Sequence, residues 1–210
     1  MVVTSDDGLA RIARSIRDWG RDCHCPGGAN DTCGRRFSQQ FGRLPFGYDH
    51  KYVYSHLGYN LKATEMQAAV GCAQLERLPG FGAARRRNHA RLSQALRPYE
   101  DVLRLPYAPP RTDPSWFCFV ITVREDAGFT RNELTAFLEE NRVETRNLFS
   151  GNLVRHPAFE GVAGRVVGDL AVTDAIMERT FFVGVYPGID DARLDYMAGV
   201  FERFLTGRRR

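Results

Sequence analysis

The 210 residues hold no uninterrupted apolar run long enough to cross a bilayer, which argues against membrane insertion by a helix. The start, Met1-Val2-Val3-Thr4-Ser5-Asp6-Asp7, lacks the basic segment and apolar core of a secretory signal, so the cytoplasm is the expected compartment. Internal repeats and low-complexity stretches are missing too. Cysteine is scarce, and its count of 5 is odd; in a reducing compartment such thiols read as metal-binding or catalytic before they read as a disulfide framework. The basic runs Arg85-Arg86-Arg87 and Arg208-Arg209-Arg210 lack interleaved aromatics. They read as solvated faces, and no nucleic-acid partner is expected. What remains, 43% hydrophobic and 26% charged, is ordinary globular composition, enough for one large or two small domains.

Three of the cysteines lie in one stretch, Asp22-Cys23-His24-Cys25-Pro26-Gly27-Gly28-Ala29-Asn30-Asp31-Thr32-Cys33-Gly34. Gly, Pro, Asn and Asp make turns, so this is a loop able to aim several thiols at one point. Free cysteine is normally buried as a small hydrophobe, and these neighbours are polar. A metal or cluster site at Cys23, Cys25 and Cys33 follows. Thiolates are soft ligands that suit zinc, copper(I) or iron–sulfur clusters. His24, set between two cysteines, is expected to point away.

Val2-Val3-Thr4 reads as the end of a strand, so the chain is expected to begin in mid-domain as part of a longer protein. Ser5 is the expected cap of a helix with Leu9, Ile12, Ala13 and Ile16 on one face, ended by Gly20. An aromatic, glycine-punctuated segment without periodicity runs through Tyr52. Thr64 and Gln67 form a capping-box pattern opening a small-residue helix. Pro79-Gly80 separates it from an arginine-rich helix ending near Leu96. Beyond Pro98, strands are expected at 102–105, 117–123, 143–146 and 181–185. Helices are expected after Thr130, across 172–177, and from Asp190 to about Phe204. This is an α/β arrangement, with residues 1–97 as one domain and 98–210 as a small C-terminal α/β domain. Cys72, on a helix, and Cys118, on a strand, read as core thiols.

Cys23-x-Cys25-x7-Cys33, then Tyr54-Ser55-His56-Leu57-Gly58-Tyr59-Asn60, then Gln67-Ala68-Ala69-x-Gly71-x-x-Gln74-Leu75, resemble the DegT/DnrJ/EryC1/StrS sugar aminotransferase family. The cysteine spacing is similar to that of its CDP-4-keto-6-deoxy-D-glucose-3-dehydrase branch, which works in lipopolysaccharide deoxysugar biosynthesis. The resemblance implies the C-terminal part of a fold-type I PLP-dependent transferase. Residues 1–97 would then be a remnant of the large cofactor-binding domain, with its cysteine loop at 22–34 and its dimer and cofactor segment at 48–78. It also implies pyridoxamine 5'-phosphate and a [2Fe-2S] cluster as cofactors, a nucleotide-sugar substrate, a homodimer, and an NAD(P)H-dependent iron–sulfur flavin reductase as electron donor. The catalytic base and a fourth cluster ligand are expected upstream of residue 1.

Carried over residue by residue, Asn60 matches a family asparagine that reaches the cofactor phosphate; its plain reading is a left-handed turn residue after Gly58. His56 is either a second phosphate contact or packed among Tyr52, Tyr54 and Tyr59. Phe117, in Ser115-Trp116-Phe117, stands where transaminating relatives carry histidine, which fits a dehydrase; otherwise it is strand core. Arg146 and Arg155 bracket Leu148-Phe149-Ser150-Gly151-Asn152, and a guanidinium suits a diphosphate in two-point contact. Three functions stay open here: C3 dehydration of a CDP-4-keto-6-deoxyhexose, PLP-dependent amino transfer to a nucleotide sugar, and a non-catalytic zinc-binding interaction module.

Overall fold

In the computed structural model, which describes residues 2–208, Asp6 rather than Ser5 starts the first helix, α1 (Asp7–Arg17). Its carboxylate accepts from Leu9 N at 2.9 Å, satisfying a free amide of the first turn. No residue of α1 is buried; Leu9 and Ile12 are exposed and Ala13 and Ile16 half-buried. Val2-Val3-Thr4 is not a strand, because no neighbouring strand satisfies its backbone groups among the described residues, and both valines are exposed.

The chain divides into two compact units, the first ending at Ala73 and the second starting at Gln74. In the first, residues 17–22 run antiparallel to 53–61. Trp19 N donates to Tyr59 O (2.9 Å), Leu61 N to Arg17 O (2.9 Å), Asp22 N to Val53 O (2.9 Å) and Ser55 N to Gly20 O (2.9 Å). The crossing is closest at Gly20, where a Cβ would lie 1.8 Å from the His56 carbonyl oxygen. Only hydrogen at this position lets the two backbones meet. Val53 is the one buried hydrophobic side chain of the first unit among the described residues.

Helix α2 (Glu65–Leu96) opens with the expected capping box: Thr64 N donates to Gln67 Oε1 (2.8 Å) and Gln67 N to Thr64 Oγ1 (3.3 Å). It carries the boundary between the units. The break expected at Pro79-Gly80 does not occur: Pro79 is inside one continuous helix. The carbonyl that loses its partner, that of Leu75, is on an exposed residue where water can serve it. Cys72 is exposed instead of core, since residues 64–80 bury nothing.

In the second unit Gly82, Asn88, His89, Leu92 and Leu96 of α2 are buried, so this part of the helix shares a core with the elements after Pro98. These are β1 (Leu103–Arg104), β2 (Cys118–Val123), α3 (Arg131–Glu140), β3 (Thr145–Asn147), α4 (Ala171–Arg179), β4 (Thr180–Gly184) and α5 (Asp191–Gly207). The sheet order is β1-β2-β4-β3, every pair antiparallel. Alternation sorts β2 and β4 into two faces. Phe119, Ile121, Val123, Phe181 and Val183 are buried, with Phe119 opposite Val183 and Ile121 opposite Phe181. Val120, Thr122 and Phe182 on the other face are half-buried. Leu134 and Leu138 of α3 and Leu194, Val200, Phe201 and Leu205 of α5 complete this core. Cys118 is buried as expected, and burial raises its thiol pKa.

Of the first basic run, Arg85 is more than part of a solvated face, while Arg208 of the second is exposed as expected. Arg85 donates to the Trp116 and Phe117 carbonyl oxygens (3.0 and 3.2 Å). Arg208 pairs with Glu133 at 2.8 Å, while Arg209 and Arg210 lie outside the described residues. Among the described residues no helix is long and apolar enough to cross a membrane.

Candidate functional site

The cysteine loop is a chain of turns. Ala29 N donates to Pro26 O (3.0 Å) and Gly34 N to Asp31 O (3.0 Å), with Gly28, Asp31 and Gly34 at positive φ. Cys23, Cys25 and Cys33 are all half-buried and open onto one cavity of about 920 Å³ within the first unit. Arg11, Arg14, Arg17, Arg21, Arg35 and Lys62 line the same cavity. Asp7, Asp18 and Asp22 line it as well, so charges of both signs face the thiols.

The thiols are not equivalent. Burial, then the proximity of Cys25 and Cys33, raises the pKa of Cys23. Hydrogen bonding from Thr32, whose Oγ1 is 3.1 Å from Cys25 Sγ, lowers that of Cys25. Cys33 Sγ accepts from Arg35 N at 3.4 Å and lies 3.5 Å from His50 Nδ1. His24 is exposed but lines the same cavity. Among the described residues no three His, Cys, Asp or Glu side chains are already gathered as a metal-binding set.

A second group of residues, which sequence reading passed over, holds this loop from behind. Arg36 grips Asp49 in two-point contact, Nε to Oδ1 at 2.8 Å and Nη2 to Oδ2 at 2.6 Å. The guanidinium holds the Asp49 carboxyl down to about 2. His50 N donates to Arg36 O (3.0 Å), and the ring, buried, puts Nε2 2.7 Å from Asp22 Oδ2. A lone histidine in an aromatic loop carries no periodic signal. Only its distance from two polar neighbours, 17 and 28 residues away in sequence, marks it.

Of the cofactor candidates in the first unit, His56 is exposed and lines the cavity instead of packing among tyrosines, which are themselves exposed. Asn60 is exposed in an extended bridge to Asp18, without the left-handed φ of a turn residue. In the second unit, Phe117 precedes β2 and is 65% exposed, so it is not strand core. Its ring meets Phe182 at 5.9 Å and Phe149 at 6.5 Å. Arg146 is exposed and paired with Glu144. Arg155 is held by Asp174, Nη2 to Oδ2 at 2.7 Å, and Asp174 accepts as well from the buried Asn152 (2.6 Å). These bonds raise the Arg155 pKa and lower that of Asp174.

The family model for the DegT/DnrJ/EryC1/StrS aminotransferases matches residues 1–202. The chain belongs to this family. It is 53% identical over 203 residues to the lipopolysaccharide biosynthesis protein RfbH of Salmonella typhimurium, covering 97% of this chain and 46% of that protein. With the dTDP-4-dehydro-2,6-dideoxy-D-glucose 3-dehydratase of Saccharopolyspora spinosa it shares 52% over 205 residues, 98% of this chain and 44% of that protein. The family member described here therefore spans under half the length of these relatives. Among solved structures, E. coli GDP-4-keto-6-deoxy-D-mannose-3-dehydratase with bound hydrated PLP superposes with a TM-score of 0.76, at 23% identity, over 95% of this chain and 49% of that one. The DegT-family fold expected for the C-terminal half of a PLP-dependent transferase is therefore the fold observed.

Proposed function

We propose that this chain supplies the C-terminal half of a PMP- and [2Fe-2S]-dependent enzyme of deoxysugar biosynthesis, one that removes the C3 hydroxyl of a nucleotide-linked 4-keto-6-deoxyhexose. The observation that carries this is that three half-buried thiols open onto one cavity of the first unit. Identity above 50% to RfbH and to a 3-dehydratase over nearly the whole chain supports it. The donor set fits a cluster in kind, three soft thiol ligands on one loop, and leaves one ligand to come from outside this chain. When bound, the pyridine cofactor supplies an electron sink and the cluster passes single electrons.

The chain's own residues prepare the site. Cys25, with its pKa lowered by hydrogen bonding from Thr32, is the readier thiolate of the pair it forms with Cys23, whose pKa burial raises. The Asn60 amide is a neutral donor for a phosphate oxygen, and His56 is a second. Phe117, with Phe149 and Phe182, offers an apolar surface where a histidine would offer a proton carrier, which disfavours amino transfer. Arg155 is pre-oriented by Asp174 for a diphosphate, and Arg146 is the freer alternative. The expected substrate is CDP-linked, the assembly a homodimer, the electron donor an NAD(P)H-dependent iron–sulfur flavin reductase, and the compartment the cytoplasm.

The test is product analysis with the polypeptide encoded upstream co-produced, PMP, the CDP-linked 4-keto-6-deoxyhexose and a reducing partner. A 3-deoxy product that disappears in Cys23→Ser and Cys33→Ser is expected. A 4-amino sugar made equally well by both variants sinks the reading in favour of an aminotransferase.

A further inference from the structure

We propose that the arginine side of α1, Arg11, Arg14 and Arg17, together with Arg35 just after the cysteine loop, is the docking surface for an acidic one-electron carrier protein. This rests on the cluster reading above and adds to it the place where electrons enter.

Helix α1 is two-sided. Leu9, Ile12, Ala13 and Ile16 fall on one side by helical periodicity, and Arg11, Arg14 and Arg17 on the other. Ala13 and Ile16 are half-buried, so the apolar side is the one turned to the body of the first unit. Arg11, Arg14, Arg17 and Arg35 are exposed, and among the described residues none of them has an ion-pair partner. All four line the cavity onto which Cys23, Cys25 and Cys33 open. Of the carboxylates on that cavity, Asp18 is engaged by Lys62 (3.0 Å) and Asp22 by His50 (2.7 Å), which leaves Asp7 against the four arginines. Arg14 and Arg17 complement the negative end of the helix, but Arg11 and Arg35 have no such use. Like charges three residues apart on one helix repel, so the row weakens the free helix and is relieved by an anionic partner.

Trp19 is a separate mark of an interface. Two residues beyond Arg17, it is 53% exposed and held at a φ of 64°. A bulky side chain in the left-handed region is strained, and here the strain displays an indole instead of burying it. Tryptophan and arginine are the side chains most enriched at the energetic centres of interfaces.

The place of the row selects the partner. A cluster that passes single electrons is re-reduced from outside, and these cations surround the opening through which its ligands are reached. One electron leaves the carrier's reduced centre and enters the oxidised cluster. The carrier is oxidised by one electron, the cluster is reduced by one, and no bond or proton moves in that step. Complementary charge acts on the rate of encounter and fixes the orientation in which the two proteins meet.

The experiment is stopped-flow reduction of the anaerobically reconstituted protein, co-produced with the polypeptide encoded upstream. The reductants are reduced flavodoxin, an acidic carrier followed by its flavin absorbance, and the methyl viologen radical cation. Wild type is compared with the double variants Arg11→Glu with Arg14→Glu and Arg11→Lys with Arg14→Lys. With iron and sulfide contents unchanged, flavodoxin is expected to reduce the Glu variant about tenfold or more slowly than wild type at low salt, with the gap closing at high salt. The Lys variant is expected to stay near wild type, and viologen to reduce the Glu variant as fast as wild type or faster. Coincident flavodoxin rates in wild type and the Glu variant overturn the inference and leave the cluster reading standing, whether the upstream polypeptide covers α1 or the carrier docks elsewhere. Equal slowing with both reductants overturns it as well, because that marks damage to the cluster site. Wild type without iron and sulfide overturns the cluster reading, and the inference with it. Because the Glu variant can fail to load, calorimetric titration of oxidised flavodoxin into the cluster-free protein reads the same surface. Affinity that falls with salt and falls again in the Glu variant supports the assignment. No affinity in wild type, or equal affinity for a single-stranded oligonucleotide, overturns it.

Discussion

His89 stacks on Trp116 with ring centroids 3.9 Å apart, and its Nε2 has no hydrogen-bond partner among the described residues. Burial lowers its pKa to about 4. Unfolded histidine binds its proton near 6.5, so as pH falls from 6.5 toward 4 the unfolded state takes up a proton that the native state refuses. Stability is lost through that window, by up to about 3 kcal/mol from this one group. Denaturant titrations between pH 7 and pH 4 are expected to show the loss, and His89→Phe, which keeps the stack, to flatten it; an unchanged slope in the variant contradicts this origin. Asp49, held down to about 2 by Arg36, behaves oppositely from His89 in cause but not in direction. Its contribution is complete above the unfolded value near 4 and disappears as pH falls toward 2. Asp49→Asn at neutral pH is expected to speed amide exchange in residues 35–53 and leave the second unit's melting unchanged. At this scale the sequence displayed Cys23, Cys25 and Cys33 through their polar setting, but not His50, Asp22 or Asp174. Those side chains matter only through partners that loop closure brings to them.

Elements defined by local chemistry were legible in the sequence. The capping boxes at Thr64 and Thr130, the Asp190 cap, and strands β2 and β4 are where residue pattern placed them, within a residue or so. At Thr130 the backbone hydrogen bond to Glu133 and the Arg208 guanidinium hold the Glu133 carboxyl down to about 2. Thr130→Ala removes a cap bond, and a loss of about 1 kcal/mol in chemical denaturation is expected. What pattern misjudged is α2. Proline is a strong local signal, and here it is outweighed by helix formers on both sides and by a buried C-terminal half from Gly82 to Leu96. Pro79→Ala restores the missing N–H to the Leu75 carbonyl. It is expected to raise stability by roughly 1 to 3 kcal/mol, with slower exchange of amides around residue 79. A destabilised variant would mean that the proline is required for the helix's course.

Across the whole molecule the buried hydrophobic side chains are unevenly shared. The first unit buries Val53 alone among its described hydrophobic residues, and the rest of the core belongs to the second. Backbone hydrogen bonds and ion pairs such as Arg36–Asp49 shape the first unit, and in water these contribute little net stability. Native-state proteolysis is expected to cut before Gln74 and leave a resistant fragment containing β1 to α5. Early cuts within β2 or β4 would contradict this. The second unit was readable in sequence because its core follows period-2 and period-3.6 patterns. The first was readable only through its cysteines and its family motifs, because its shape depends on loop closure.

The most direct measurement is anaerobic purification of the chain, with and without the polypeptide encoded upstream, followed by a visible absorption spectrum and iron, sulfide and zinc analysis. Iron and sulfide with visible absorbance in the longer form, and their loss in Cys25→Ser, are the expected result. Stoichiometric zinc in the short form, with no visible absorbance in either, would contradict the cluster and put the zinc-binding interaction module in its place.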